Sequence, residues 1–134
     1  MSRADLARLI AALALLPLAG ARGQPVVDWT KAQPVDVLMV DDRFVPDHLT
    51  FRHGMPYRMV LKNSGKDLHE FTAQAFFADT VLRDPKVLAQ NQKEVVVQPG
   101  TEVTVYLMPI HPGTFELICA DHDWDGMVGQ IVVE

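Results

Sequence analysis

Three residues near the C-terminus, Cys119, His122 and Met127, place a thiol, an imidazole and a thioether on one short stretch of chain. A thiolate and imidazoles in a trigonal plane, with a weak axial thioether, form the ligand set that holds copper as both Cu(I) and Cu(II). The second imidazole has to come from another segment, and His69 is the candidate. These four side chains predict one redox-active mononuclear copper site.

The spacing of Cys119 and His122 is weak evidence alone, because Cys-x2-His arises often by chance. The alternative interpretation is a buried free cysteine beside surface histidines. Two further features favour the metal site: Cys119 ends a strand-like segment that begins at Gly113, and Gly126 lets the loop close before Met127. A strand that ends at the thiolate, followed directly by the other loop ligands, lets the loop wrap around an ion.

The other histidines and methionines are weaker candidates for a second copper site. The histidines are more often ordinary surface residues, and thioethers suit Cu(I) but more often fill the core. The residues concerned are His48, His53, His111, Met39, Met55, Met59 and Met108.

The segments that must position these ligands are predicted to be strands. From Pro34 onward, short apolar or alternating runs are separated by Pro, Gly, Asn and Asp about every ten residues, which is typical of an antiparallel sandwich. The clearest alternation sets Val103, Val105 and Leu107 against polar neighbours, as in a half-buried strand. The predicted strands are Val35–Val40, His48–Arg52, Tyr57–Asn63, His69–Thr72, Glu94–Val97, Glu102–Met108, Gly113–Cys119 and Gly129–Val132.

One segment, residues 73–93, departs from the strand pattern. It contains good helix formers with apolar residues at Phe77, Val81 and Leu82, and a proline at position 85. We expect a helical insert here, interrupted near Pro85, that covers one edge of the sandwich.

The N-terminus has the features of a secretory signal peptide. Arg3 and Arg8 precede an apolar run that ends in the small residues Ala19-Gly-Ala21. The run, about 12 residues, is shorter than the roughly 20 that a membrane-spanning helix needs. We therefore predict a signal peptide at residues 1–21, a single domain at residues 22–134, export to the periplasm and no membrane anchor.

Composition excludes some classes of function. The net charge of −5 argues against a nucleic-acid partner and favours a positively charged protein or a metal cation. The single cysteine of an exported protein has no internal disulfide partner, and a free thiol is open to oxidation unless burial or a metal protects it. This favours metal ligation by Cys119.

The chain resembles the cupredoxin family of small blue copper proteins, on Phe44-Val-Pro46, Asn63-Ser-Gly65, His69-Glu-Phe71, Gln98-Pro-Gly100 and the Cys119 to Met127 loop. The resemblance implies an all-β, cupredoxin-like Greek-key sandwich that holds one type 1 copper. It makes His69, Cys119 and His122 the equatorial ligands and Met127 the axial ligand. More narrowly, the helical insert and the two ligand segments are similar to those of periplasmic cupredoxins associated with copper tolerance.

One position departs from the family pattern. Many electron-transfer members have an asparagine after the first histidine, where this chain has Glu70. Three aspartates, Asp121, Asp123 and Asp125, also flank His122. They are either a solvated acidic loop or a device that attracts Cu(II) or a basic partner.

Two functions use the same four ligands. One is copper tolerance or copper handling, which Glu70, the acidic loop and the narrower resemblance favour. The other is a one-electron carrier between periplasmic redox partners. An enzyme of the multicopper oxidase or nitrite reductase kind needs more domains and more histidines than the five present, so we do not expect the chain to be one.

Overall fold

A computed structural model describes residues 23–134. The predicted signal peptide, residues 1–21, lies outside this range. Within residues 23–134 no helix is long and apolar enough to cross a membrane.

Most of the regular structure in the described chain consists of short strands. They are β1 (Gln33–Val40), β2 (Arg43–Val45), β3 (His48–Phe51), β4 (Tyr57–Asn63), β5 (His69–Thr72), β6 (Thr80–Leu82), β7 (Glu94–Val97), β8 (Glu102–Pro109), β9 (Gly113–Ile118) and β10 (Val128–Val133). The helical elements are α1 (Gln74–Ala78) and single 3-10 turns at Trp29–Lys31, Pro85–Val87 and Asp123–Asp125.

The strands form two five-stranded sheets that pack face to face. One sheet has the order β2-β1-β4-β8-β6, and the other has the order β3-β10-β9-β5-β7. Neighbouring strands are antiparallel except for β1 with β4 and β3 with β10, which are parallel. Since β1 and β3 pair in different sheets, the chain crosses between the sheets near its start. The all-β sandwich is therefore confirmed, whereas the expectation that it is antiparallel throughout is wrong at these two strand pairs.

The core lies between the two inner faces, as the alternation in the sequence predicts. In β8, Val105 and Leu107 are buried while Glu102 and Thr104 are exposed. The aromatic side chains of Phe51, Phe71 and Phe76 fill the centre of the core. Burial of apolar surface contributes on the order of 25 cal/mol per Å², so these residues supply much of the favourable free energy of folding.

The insert at residues 73–93 is helical over a shorter stretch than expected. Helix α1 covers Gln74–Ala78 only, and the chain then forms β6, which pairs with β8 at the edge of its sheet. The extended conformation prevails over helix propensity at Val81 and Leu82 because these residues pair with Met108 and Leu107. Pro85 begins a 3-10 turn, as expected of a residue that lacks a backbone N–H.

All eight predicted strands are present, with bounds that differ by at most two residues. The two strands that the sequence analysis missed, β2 and β6, are three residues long each. Such short runs carry no readable alternation. Both are edge strands, and each extends its sheet by pairing with a longer strand that the pattern does predict.

Candidate metal centre

One end of the sandwich brings the first predicted ligand to the loop that carries the others. His69 is the first residue of β5, and Cys119 directly follows the last residue of β9. The two strands are neighbours in one sheet, paired at Thr72 and Ile118. His69 and Cys119 are fully buried, and His122 is partly buried.

The ligand atoms of three residues converge. The Nδ1 atoms of His69 and His122 lie 3.8 and 3.4 Å from Cys119 Sγ. One ligand atom from each of the three residues lies within 4.8 Å of the others, and no other group of three or more His, Cys, Asp or Glu does so among residues 23–134. Typical distances at zinc sites are about 2.0 Å from metal to nitrogen and about 2.3 Å from metal to sulfur. In a trigonal site, these distances place the nitrogen and the sulfur about 3.7 Å apart. The three donors therefore fit one metal ion.

Backbone hydrogen bonds close the loop between Cys119 and Met127. The N–H of Cys119 donates to the carbonyl of Met127 at 3.0 Å, and the N–H of Met127 donates to the carbonyl of His122 at 3.1 Å. Gly126 adopts a left-handed conformation with φ of 89°, which glycine reaches without steric cost. This closure sets the buried Met127 beside Cys119.

The sulfur of Cys119 has two further polar neighbours, both from Glu70. The backbone N–H of Glu70 donates to Sγ at 3.3 Å, and the thiol donates to Glu70 Oε2 at 3.1 Å. The N–H of Asp121 donates to the same Oε2 at 3.4 Å. The Glu70 side chain thereby links β5 to the ligand loop.

Burial changes the acidity of both groups. It raises the pKa of the Cys119 thiol from 9.0 to about 12, because a thiolate loses hydration there. Burial also raises the pKa of Glu70, and the nearby charge of Asp121 adds to the rise. The thiol is thus protonated at neutral pH in the metal-free protein.

The second nitrogen of His69 is the one buried side-chain nitrogen or oxygen in the described chain that lacks a hydrogen-bond partner. Its nearest charged neighbour is Asp41, whose Oδ1 lies 3.5 Å away. That distance is longer than an ordinary N–H···O hydrogen bond, so the attraction between the two groups is mainly electrostatic. Buried imidazoles with one nitrogen toward a thiol are the donors that copper and zinc prefer, so the residues fit a metal of this kind.

The other histidines do not join the centre. Each is exposed and makes its own local contact: His48 with Asp47 at 2.9 Å, and His111 with Asp79 at 2.7 Å. His53 contacts the carbonyl of Glu134 at 2.6 Å.

The methionines considered for a Cu(I) site lie on or beside β1, β4 and β8 of one sheet, and no two of them are paired across strands. Met39 and Met59 are fully buried in the hydrophobic core. Met55 packs against that core while partly buried, and Met108 is also partly buried. The interpretation of Met39 and Met59 as core-filling residues is confirmed.

Sequence reasoning missed two residues that shape the centre. Asp41 contacts His69 from a turn 28 positions earlier in the chain. Asn63, fully buried, donates from Nδ2 to the carbonyls of Asp67 and Val97 and so fixes the loop before His69. The Asn63-Ser-Gly65 turn signals Asn63 in the sequence, but no local pattern links Asp41 to the site.

A family profile described as a cupredoxin-like domain matches residues 8–133 of the chain. No curated protein matches its sequence.

Several solved structures share the fold. Auracyanin B superposes with a TM-score of 0.60 and 19% identity over 84% of this chain and 96% of its own. The auracyanin of Roseiflexus castenholzii gives a TM-score of 0.58 and 15% identity over 77% and 98% of the two chains. A multicopper oxidase from Campylobacter jejuni gives a TM-score of 0.59 and 14% identity. The match covers 82% of this chain and 31% of the oxidase.

Proposed function

The chain belongs to the cupredoxin-like domain family, and from this premise we propose that it is an exported type 1 copper protein that carries single electrons between partner proteins. The cofactor of the family is one copper ion per chain. The observation that carries the proposal is the convergence of His69, Cys119 and His122 within 4.8 Å at one end of the sandwich.

Each ligand has a distinct role in this proposal. His69 and His122 would hold copper through Nδ1, Cys119 through Sγ and Met127 through its thioether sulfur. Bound copper supplies a centre that gains and loses one electron. The chain contributes a site whose donors are already assembled in the metal-free fold, so that little rearrangement accompanies the change of oxidation state.

The ligand loop is the surface best placed for electron exchange with a partner protein. His122 is partly buried, whereas His69 is fully buried, so His122 is the ligand nearer to solvent. Trp124, two residues on, is 79% exposed, and its Nε1 donates to the carbonyl of Asp121 at 3.0 Å. A positively charged partner suits this loop because of its three aspartates.

The proposal also includes export of the protein and a role without catalysis. The apolar run that ends near Ala21 supports a signal peptide and a periplasmic protein. Among residues 23–134 one group of three or more His, Cys, Asp or Glu could hold a metal ion, whereas multicopper oxidases and nitrite reductases need further histidine clusters. We therefore propose a carrier rather than an enzyme.

Copper tolerance or copper handling is the second candidate. Glu70 supports it, since a carboxylate oxygen 3.1 Å from the ligating sulfur is an unusual neighbour for a thiolate. A carboxylate at this place adds negative charge beside the copper site and favours Cu(II) over Cu(I). A protein that keeps copper oxidised suits detoxification.

Retention of copper separates the two functions. The test loads the protein with copper, cycles it between reductant and oxidant, and measures copper lost to a Cu(I) chelator in each cycle. An electron carrier completes many cycles with its copper retained and with one electron counted per copper. Release of Cu(I) on each reduction would contradict the carrier role and support handling, and Cys119→Ser serves as the control that forms no thiolate centre.

A further inference from the structure

Asp41 approaches the buried imidazole of His69 from the turn between β1 and β2. Its Oδ1 lies 3.5 Å from His69 Nε2, the nitrogen that faces away from Cys119. The His69 side chain is fully buried, whereas the Asp41 side chain is 48% exposed. The carboxylate therefore caps the histidine from the solvent side while keeping part of its own hydration.

The surrounding loop is built to admit this carboxylate. The backbone N–H of Lys66 donates to Asp41 Oδ1 at 3.0 Å. This hydrogen bond holds the Oδ1 atom of Asp41 at the edge of the His69 ring. A Cβ on Gly65 would overlap Asp41 Oδ1 and would lie 3.0 Å from His69 Nε2, so the absence of a side chain there makes room for the contact.

The position of Gly65 is itself fixed from the core. Its backbone N–H donates to Asn63 Oδ1 at 2.9 Å. The Asn63 amide in turn donates to the carbonyl of Val97 at 2.9 Å, within the neighbouring β7. One side of the gap that Asp41 occupies is thus held in place by the buried side chain of Asn63.

The chemistry of His69 requires an acceptor at this place. A neutral imidazole that binds metal through Nδ1 carries its proton on Nε2, which then acts as a donor. A buried donor without a partner destabilises the fold, because it loses its hydrogen bonds to water and gains none in return. Among residues 23–134 no acceptor makes an ordinary hydrogen bond to this nitrogen, and Asp41 is the carboxylate that reaches it.

We propose that Asp41 is the positioning residue for His69: its carboxylate accepts a hydrogen bond from Nε2–H, keeps Nδ1 directed toward Cys119 Sγ, and adds a negative charge that favours Cu(II) over Cu(I). Carboxylates that accept from a ligating histidine act in this way at other metal sites. The inference rests on the proposed function, because it assumes that His69 is a copper ligand.

The test compares Asp41→Ala and Asp41→Asn with Asp42→Asn. All three variants remove one negative charge from the same turn. Asp42 has a φ of 67°, a conformation that asparagine tolerates, and its removal leaves the His69 contact in place. Asp42→Asn is therefore a matched control for charge and for the turn.

The first readout needs no copper. In the metal-free wild type at pH 8, nitrogen NMR shifts of His69 are expected to show the proton on Nε2. Asp41→Asn, whose amide oxygen still accepts a hydrogen bond, keeps that tautomer, while Asp41→Ala gives a mixture of tautomers. Retention of a single Nε2–H tautomer in Asp41→Ala would overturn the positioning role, and circular dichroism of each variant verifies that it is folded.

The second readout is the copper site itself. Asp41→Ala should bind Cu(II) at least about 10-fold more weakly than wild type, the lower end of the range for partners of ligating histidines. Cu(I) affinity should fall less, and each tenfold difference between the two raises the one-electron potential by about 59 mV. Asp41→Asn should also raise the potential, whereas Asp42→Asn should stay within about twofold of wild type in both affinities because exposed charges are screened.

Two failures remain distinguishable. Equal affinities and potentials for Asp41→Ala and Asp42→Asn, in a protein whose wild type shows a thiolate-to-copper absorption band, would overturn this inference alone. A wild-type protein without that band would overturn the proposed function and the inference with it.

Discussion

At the scale of single residues, the metal-free site holds its cysteine in the wrong protonation state for ligation. The Cys119 thiol donates to Glu70 Oε2, and its pKa is raised to about 12. Metal binding needs the thiolate, so copper must displace the proton. The folded protein thereby protects its one free thiol, since thiolates are the form that oxidises.

Proton release on copper binding follows from this raised pKa. Below about pH 12 the folded, metal-free protein carries the thiol proton, and the copper-bound protein does not. We expect about one proton released from Cys119 per Cu(II), and a Cu(II) affinity that rises about tenfold per pH unit between roughly pH 7.5 and 9. Calorimetry in buffers of different ionisation enthalpy measures the number of protons released per Cu(II).

The Cys119→Ser variant is the control for that count. A serine hydroxyl stays protonated, so any copper that still binds to the histidines above pH 7.5 should release close to no protons. Equal proton release from wild type and variant would show that the thiol is not a ligand, or that it is already ionised in the metal-free protein.

The types of residue in the ligand loop made most of the site predictable. Thiol, imidazole and thioether chemistry singles out Cys119, His122 and Met127 from the sequence, and their strand context adds His69. The contact between Asp41 and His69 was not predictable, because it joins segments 28 positions apart whose approach depends on how β1 and β4 pair. The same holds for the Glu70 carboxylate, whose contact with sulfur depends on the pairing of β5 and β9.

At the scale of elements, two strands and one loop position the ligands, and the insert supports them from the core. Helix α1 buries Phe76, which stacks on Phe51 with centroids 5.4 Å apart and meets Phe115 of β9 at 5.7 Å. Strand β9 leads directly to Cys119. The short helix is therefore a structural part of the sandwich.

Truncation of Phe76 tests that role. Phe76→Ala should lower the free energy of unfolding by about 3–5 kcal/mol, through lost burial and the cavity left behind. The exposed Gln74→Ala, in the same helix, should change it by less than about 0.5 kcal/mol. Urea unfolding of both variants measures the difference, and similar midpoints for the two would show that the insert does not contribute to the core.

Strand positions were predictable from alternation, while the form of the insert was not. Apolar residues at every second position, such as Val103, Val105 and Leu107, predict strand β8. In the insert, local helix propensity competes with pairing to β8, and only the tertiary contact of Val81 with Met108 decides the outcome. The local sequence alone therefore does not predict which conformation the insert adopts.

At the scale of the whole molecule, the ligand loop forms an acidic surface at one end of the sandwich. The chain carries a net charge of −5, and three of its acidic residues surround the solvent-exposed Trp124 on the ligand loop. An acidic field around an exposed aromatic side chain attracts cations and basic protein surfaces over about 10 Å at 0.1 M salt. Association at this end should therefore depend on ionic strength.

Neutralising the loop tests this dependence. The triple variant Asp121→Asn, Asp123→Asn and Asp125→Asn should take up Cu(II) more slowly than wild type at low salt, and the difference should disappear near 1 M salt, where screening acts within about 3 Å. Stopped-flow absorption follows uptake. A matched variant changes three exposed acidic residues elsewhere on the sandwich: Asp36→Asn, Glu102→Gln and Glu116→Gln. Equal slowing in both variants would assign the effect to net charge rather than to the loop.

The visible absorption spectrum after addition of Cu(II), recorded for wild type and Cys119→Ser, tests the copper site most directly. A thiolate bound to Cu(II) among two imidazoles gives an intense band toward the red end of the spectrum. We expect this band in wild type at one copper per chain and its complete loss in Cys119→Ser. A wild-type protein without the band, or a band that survives in the variant, would contradict a type 1 centre formed by His69, Cys119, His122 and Met127.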